Sequence, residues 1–207
     1  MNLNQQQTAY LSDTYNRMEQ KFRAECHRMN GRIPYISIDG AYPTWDESMI
    51  NWWTNGFWGG IMWQLYHAEN NSDYMSEANC LEEHLEKAFE HFDLLDHDVG
   101  FLWLHTAVAH YRLTGDPTAR QRGLRAAAVL ASRYCPAGEY IRAWNRPGLS
   151  QMIIDCVMNL PLLFWAASEG AGDHYRQIAI HHLDRVLTHI IREDGSCNHI
   201  VEFDEAT

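Results

Sequence analysis

Apolar residues recur every three or four positions along most of this chain. Leu11, Tyr15, Met18, Phe22 and Cys26 draw one stripe, and the same step returns in Phe57, Ile61 and Leu65, then in Leu81, Leu85 and Phe92. It continues through Phe101, Leu104, Val108 and Tyr111, and again through Leu124, Ala128 and Ala131. That spacing puts each set on one face of an α-helix. Two more helices are predicted, from about Ser150 to Ser168 and from about His174 to Ile191, with Pro161 expected to kink the first of them. Strand signals are almost lacking, apart from the short strand-like stretch Ile200 to Phe203.

Stop-and-start residues separate the helices. They are Asn71-Ser72-Asp73-Tyr74, Gly115-Asp116-Pro117 and Gly172-Asp173-His174-Tyr175. Glycine suits the helix stop, aspartate suits the N-cap, and Pro117 suits the first helical position. The result is a run of two-helix units, none of which can bury its apolar face alone. Stacked units close in two ways, as an open solenoid or as an α/α toroid whose inner helix ends surround a pocket. The tryptophans favour the ring. Trp52, Trp53, Trp58, Trp63, Trp103 and Trp144 fall at or near helix starts and in the longer connections, where a flat ring can stack on the C–H face of a sugar. Trp63 and Trp103, inside helices, read as core. Trp53 and Trp144, in loops, suit core packing and ligand stacking equally.

Composition narrows the function. With 207 residues, 46% of them hydrophobic, the chain can bury a core and fits one domain or part of a larger one. Its net charge of -11 argues against nucleic acid and anionic membrane surfaces as partners. Met1 to Tyr10 has neither the basic nor the apolar segment of a secretory signal. The apolar stretch from Met152 to Ala167 is interrupted by Asp155, Asn159 and Pro161 and is too short to cross a bilayer. A cytoplasmic protein is the expectation. Cys26, Cys80, Cys135, Cys156 and Cys197 are odd in number and without a CxxC pair, as free thiols would be. The histidines include no HExxH, so no metal site and no cofactor is expected.

Two aspartates need an explanation, because a carboxylate among apolar neighbours is costly unless it is capped, paired or used. Asp98 precedes Val99, Gly100 and the run from Phe101 to Leu104, so its ordinary role is an N-cap. If that cap faces a pocket, the helix N-terminus would hold it ionised. Asp155 is predicted to lie one turn inside its helix, between Ile153, Ile154, Cys156 and Val157, where burial favours the neutral acid. Its alternative is a core aspartate bonded to a neighbouring helix end. A neutral acid beside an ionised helper is the pattern of glycoside chemistry, provided that the two helices are neighbours.

The ordered strings Trp53 to Trp58 (WTNGFW), GGIMW from Gly59, LDHDVGF from Leu95, IRAW from Ile141 and IIDCVMNLPLLFWA from Ile153 resemble the unsaturated glucuronyl hydrolases of glycoside hydrolase family 88. The likeness runs from about Trp52 to Asp204. It implies an (α/α)6 toroid, action in the cytoplasm, no metal or organic cofactor, and removal of a 4,5-unsaturated uronic acid from lyase-generated oligosaccharides such as glycosaminoglycan disaccharides. The implied chemistry is hydration of the C4=C5 double bond. By the resemblance Asp155 is the general acid/base and Asp98 the orienting partner, while Trp53, His97, Trp144 and His199 contact the substrate. The alternative for His97 is a surface loop histidine and for His199 a place beside the strand-like stretch, with the substrate-contacting reading of each put ahead.

Family members are close to twice as long. The expectation is therefore that residues 1–207 form the N-terminal part of a single toroid domain, about half a ring, with turnover belonging to the whole ring and an open edge prone to self-association. Three rivals stand beside this reading. An unsaturated rhamnogalacturonyl hydrolase would share ring and chemistry but act on pectin fragments. A sugar 2-epimerase toroid would rely on paired histidines. A non-catalytic helical-repeat scaffold would not need Asp155.

Overall fold

The computed structural model describes residues 3–29, 31–42 and 49–204. Helices dominate: α1 (Gln5–Met29), α2 (Asn55–Glu69), α3 (Ser72–Glu86), α4 (Val99–Trp103), α5 (Ala109–Thr114), α6 (Pro117–Ser132), α7 (Cys156–Asn159), α8 (Pro161–Ser168) and α9 (Asp173–Arg185). A π-helical turn, Leu104–Val108, joins α4 to α5, and another, Val186–Ile190, extends α9. The all-α expectation holds, and no described helix is long and apolar enough to cross a membrane.

The punctuation works much as the residue types demand. Asn70 ends α2 in the left-handed conformation and Asn71 caps α3. Asp116 caps α6 by accepting the Ala119 amide at 2.8 Å, with Pro117 in the first turn. The third junction differs: Gly172 occupies the cap of α9, and Asp173 is instead its first helical residue, ion-paired to Arg176.

Helices α2 and α3 form a hairpin zipped by two bonds of identical sequence offset. Trp58 Nε1 donates to Glu77 at 3.0 Å and Trp63 Nε1 to Glu82 at 2.8 Å. Trp63 and Trp103 are buried as expected, Trp103 stacking on Phe89 at 4.3 Å. Gly56 lets α2 meet α4 backbone to backbone, since a Cβ there would lie 2.1 Å from the Phe101 carbonyl oxygen. The main core lies between these helices and α6, α8 and α9.

Several expectations need correction. The apolar stripe of α1 is only partly buried, with Leu11 and Met18 exposed, and Phe92 lies exposed in a 3-10 segment after α3. The helix expected from Ser150 to Ser168 is three elements: a strand β3 (Ser150–Ile153), then α7, then α8, with the break at Leu160 and Pro161 in the first turn of α8 rather than at a mid-helix kink. β3 pairs antiparallel with β4 (Ile200–Phe203), Ser150 opposite Phe203 and Ile153 opposite Ile200. A smaller ribbon joins β1 (Tyr134–Cys135) to β2 (Tyr140–Ile141). All five cysteines are free thiols.

Candidate functional site

The loop before α4 carries Asp96, His97 and Asp98. Asp96 Oδ1 accepts the Asp98 amide at 2.9 Å, and the His97 amide donates to the Ala143 carbonyl at 3.1 Å, which turns the loop into the fold. His97 is therefore buried, 1% exposed, rather than a surface histidine. Asp155 follows β3 at the N-cap position of α7, not one turn inside a helix. The β3–β4 pairing brings it there, and Ile154 donates to the carbonyl of His199 at 3.1 Å. His199 is exposed beside Asp155, and its charge favours the ionised form of that carboxyl.

The two aspartates meet. His97 Nε2 stands between them, 3.7 Å from Asp98 Oδ1 and 3.8 Å from Asp155 Oδ2. Asp98 is the inner member, its side chain 12% exposed, and Asp155 the outer one at 35%. Burial, followed by the charges of Asp96 and Asp155, pushes the Asp98 carboxyl up to about 7. Burial also raises Asp155, and a direct contact between the carboxyls raises Asp98 while lowering Asp155. Burial, helped by the Arg133 cation, holds His97 down to about 3, so the ring is neutral between them.

This overturns the idea that a helix N-terminus keeps Asp98 ionised. Asp98 occupies the N-cap position of α4, yet its carboxylate accepts no helix N–H. Asn159 takes that place: its Oδ1 accepts the Phe101 amide at 2.8 Å, while its Nδ2 reaches Asp98 at 3.4 Å. Without the helix donors, burial and like charge govern the carboxyl. Sequence reading missed Asn159. The available signal was its position four residues after Asp155, on the same helical face, opposite Gly100.

Aromatic rings flank the carboxyls. Trp53, 39% exposed, packs on Phe57 at 5.8 Å and on Phe101 at 5.7 Å, and Phe57 lies 5.2 Å from His105. Trp144 is half-buried, edge-on to His97 at 6.0 Å, with the Arg146 guanidinium 4.9 Å above its ring. The structure thus gathers His97, Asp98, Trp144, Asp155 and His199, with Trp53 joined to them through Phe101. Neither of two cavities of about 660 and 700 Å³ is lined by the acid pair, although Phe57 borders the first and Arg133 the second. Among the described residues, Asp96, His97 and Asp98 are grouped closely enough to hold a cation, their donor atoms within 4.8 Å, although one Asp96 oxygen is already committed to the Asp98 amide.

A partly exposed acid, a second acid behind it and a neutral histidine between them can pass a proton to a bound molecule and take one back. The exposed Trp53 and the half-buried Trp144 suit a ring-shaped polar ligand.

No family model matches the chain. It is 36% identical over 174 residues to an unsaturated chondroitin disaccharide hydrolase of Streptococcus pyogenes serotype M1, covering 82% of this chain and 43% of that protein. It is 35% identical over 184 residues to an unsaturated glucuronyl hydrolase of Bacillus sp. strain GL1, covering 86% of this chain and 48% of that one. The fold agrees. A crystal structure of the Bacillus sp. GL1 unsaturated glucuronyl hydrolase superposes with a TM-score of 0.80 at 31% identity, over 88% of this chain and 49% of the other. The chain spans about half the length of the relatives it matches.

Proposed function

We propose that this chain forms the first half of an unsaturated glucuronyl hydrolase of glycoside hydrolase family 88, a cytoplasmic (α/α)6 toroid that removes the 4,5-unsaturated uronic acid from lyase-generated oligosaccharides. The observation that carries the reading is the juxtaposition of Asp98, His97 and Asp155. Likeness to a chondroitin disaccharide hydrolase favours a glycosaminoglycan-derived substrate over a pectin-derived one.

Protonating a carbon of an enol ether needs an acid that keeps its proton near neutral pH. The carboxyl pair meets that need, because both members are raised and Asp98 reaches about 7. Asp155, the outer member, takes up across their direct contact the proton that Asp98 holds and presents it to C4 of the C4=C5 bond. Positive charge develops at C5, shared with the ring oxygen, and water adds there while Asp155 takes back a proton. The C5 hemiketal then opens, leaving a hemiacetal at C1 that expels the second sugar. Asp98 and neutral His97 orient Asp155 and answer the change in its charge. Trp53 and Trp144 flank the uronate, and His199 meets its polar edge. Each proton given is regained, and no step changes the overall oxidation state.

The test follows the loss of ultraviolet absorbance of the conjugated uronate, with unsaturated chondroitin disaccharide and the full-length gene product. Decay that vanishes in a folded Asp155→Asn variant is the expected result. Unaltered decay in that variant would remove Asp155 from the chemistry, and no decay from the parent on uronates of either origin would overturn the assignment.

A further inference from the structure

The loop bearing His97 and the strand leading to Asp155 converge on one peptide. The carbonyl of Ala143 accepts the His97 amide at 3.1 Å, and the Ala143 amide donates to the Gln151 carbonyl of β3 at 2.8 Å. Trp144 is the next residue. What fixes this peptide comes from a third element. Arg133, at the C-terminal end of α6 and 8% exposed, donates through Nη2 to the same Ala143 carbonyl at 2.9 Å.

The rest of that guanidinium reaches the same two loops. Nε donates to the Arg142 carbonyl at 2.9 Å, and Nη1 donates to the Leu95 carbonyl at 3.1 Å and to Asn145 Oδ1 at 2.7 Å. Asn145 repeats the bridge from the surface, its Nδ2 donating to the Asp93 carbonyl at 2.6 Å and the Leu95 carbonyl at 3.0 Å. A buried cation whose donors go to carbonyls and an amide is costly to keep. A planar fork of fixed donors does something that a lysine cannot, since it sets the distance and angle between several acceptors at once.

We infer that Arg133 is a positioning residue for the reaction: its guanidinium fixes the 93–98 loop against the 142–145 loop, and so holds His97 between Asp98 and Asp155 with Trp144 at its edge. The inference rests on the proposed hydrolase reading for its kinetic test, but it concerns geometry and can be judged separately.

The test uses the full-length protein with three variants, Arg133→Lys, Arg133→Ala and Asn145→Ala, followed by uronate absorbance and thermal melting. Misplacing catalytic groups by an ångström lowers turnover more than ground-state binding, so Arg133→Lys should lose kcat roughly 10- to 100-fold while KM moves less than about threefold. Arg133→Ala should lose more and regain part of it in millimolar guanidinium, but not in sodium chloride of equal ionic strength. Asn145→Ala should lose less and add little to Arg133→Lys, because both act on the Leu95 carbonyl.

Parental kcat in folded Arg133→Lys and Asn145→Ala, or losses that only follow the melting temperature, would overturn the inference. If both Arg133 variants fail to fold, Asn145→Ala decides by the same criterion. If the parent is inactive on the disaccharide, the function proposal falls, and a crystal structure of Arg133→Lys or Asn145→Ala still decides this one. His97 and Trp144 displaced from the carboxyls would support it; both rings in place would refute it.

Discussion

Asn159 stands over Gly100 so closely that a Cβ at position 100 would lie 2.4 Å from its Oδ1 and 2.6 Å from its Cα. The start of α4, which carries Asp98, therefore meets the last residue of α7, the short helix that Asp155 opens, and Asn159 crosses the contact to take the Phe101 amide. A glycine is needed here for its lack of a side chain, not for an unusual backbone angle.

Gly100→Ala should force α7 away from α4 and carry Asp155 out of reach of His97. Overpacking of this kind costs about 1–3 kcal/mol. Thermal melting should report that loss, and turnover of unsaturated disaccharide should fall well beyond it. A variant with parental stability and activity would mean that the two helices have room to separate.

Asp98→Asn should stabilise the protein in a pH-dependent way. The folded carboxyl titrates near 7 against an ordinary value of 3.8, so between those limits the folded state binds more protons than the unfolded one. Its contribution to stability is complete below pH 3.8 and declines as pH rises toward 7, at a slope of up to about 1.4 kcal/mol per unit. The variant should melt higher than the parent above about pH 4, with a gap that widens to about pH 7 and then stays level. Melting across a pH series checks this, and a constant gap would show that the carboxyl is not raised.

His182 should act with the opposite sign. It is fully buried, its Nδ1 accepting the Ile141 amide at 2.9 Å, and burial holds its pKa down to about 4 from an ordinary 6.5. The unfolded chain takes up that proton first, so stability is complete above pH 6.5 and falls as pH drops toward 4. His182→Gln keeps an acceptor for Ile141 and should flatten this acid limb. Its melting temperature relative to the parent should be higher at about pH 5 than at about pH 7.5. Parallel profiles would assign the limb to His97 and other groups.

Glu82→Ala should be a stability variant. Glu82, 1% exposed, accepts from Trp63 at 2.8 Å, pairs with His110 at 3.1 Å and lies 3.4 Å from Arg122. Removing one member of such a buried charged network costs about 3–5 kcal/mol. Denaturant midpoints should fall accordingly, while kcat and KM per folded molecule stay near parental values. A selective loss of kcat would instead tie the α2–α3 hairpin to the site.

The amino-acid sequence alone determined what is local. Period and punctuation placed α2, α3 and α6, and α9 within a residue or so at its start, because a helix bonds within itself and needs only its own stripe and caps. The same locality made Asp98 visible at the start of α4, and the ordered strings around Trp53, Asp98, Trp144 and Asp155 carried the likeness to unsaturated glucuronyl hydrolases. Tertiary structure decided whatever depends on a distant partner. β3 reads as helix because Met152, Ile153, Cys156, Val157 and Leu160 fit a helical face, and only pairing with β4, far along the chain, makes Ser150–Ile153 a strand and moves Asp155 to a helix start. The burial of His97, the raised Asp98 carboxyl, the capping role of Asn159 and the reach of Arg133 have the same origin. Each depends on which neighbours exclude water or offer an acceptor, and those neighbours come from elements that meet only in the folded chain.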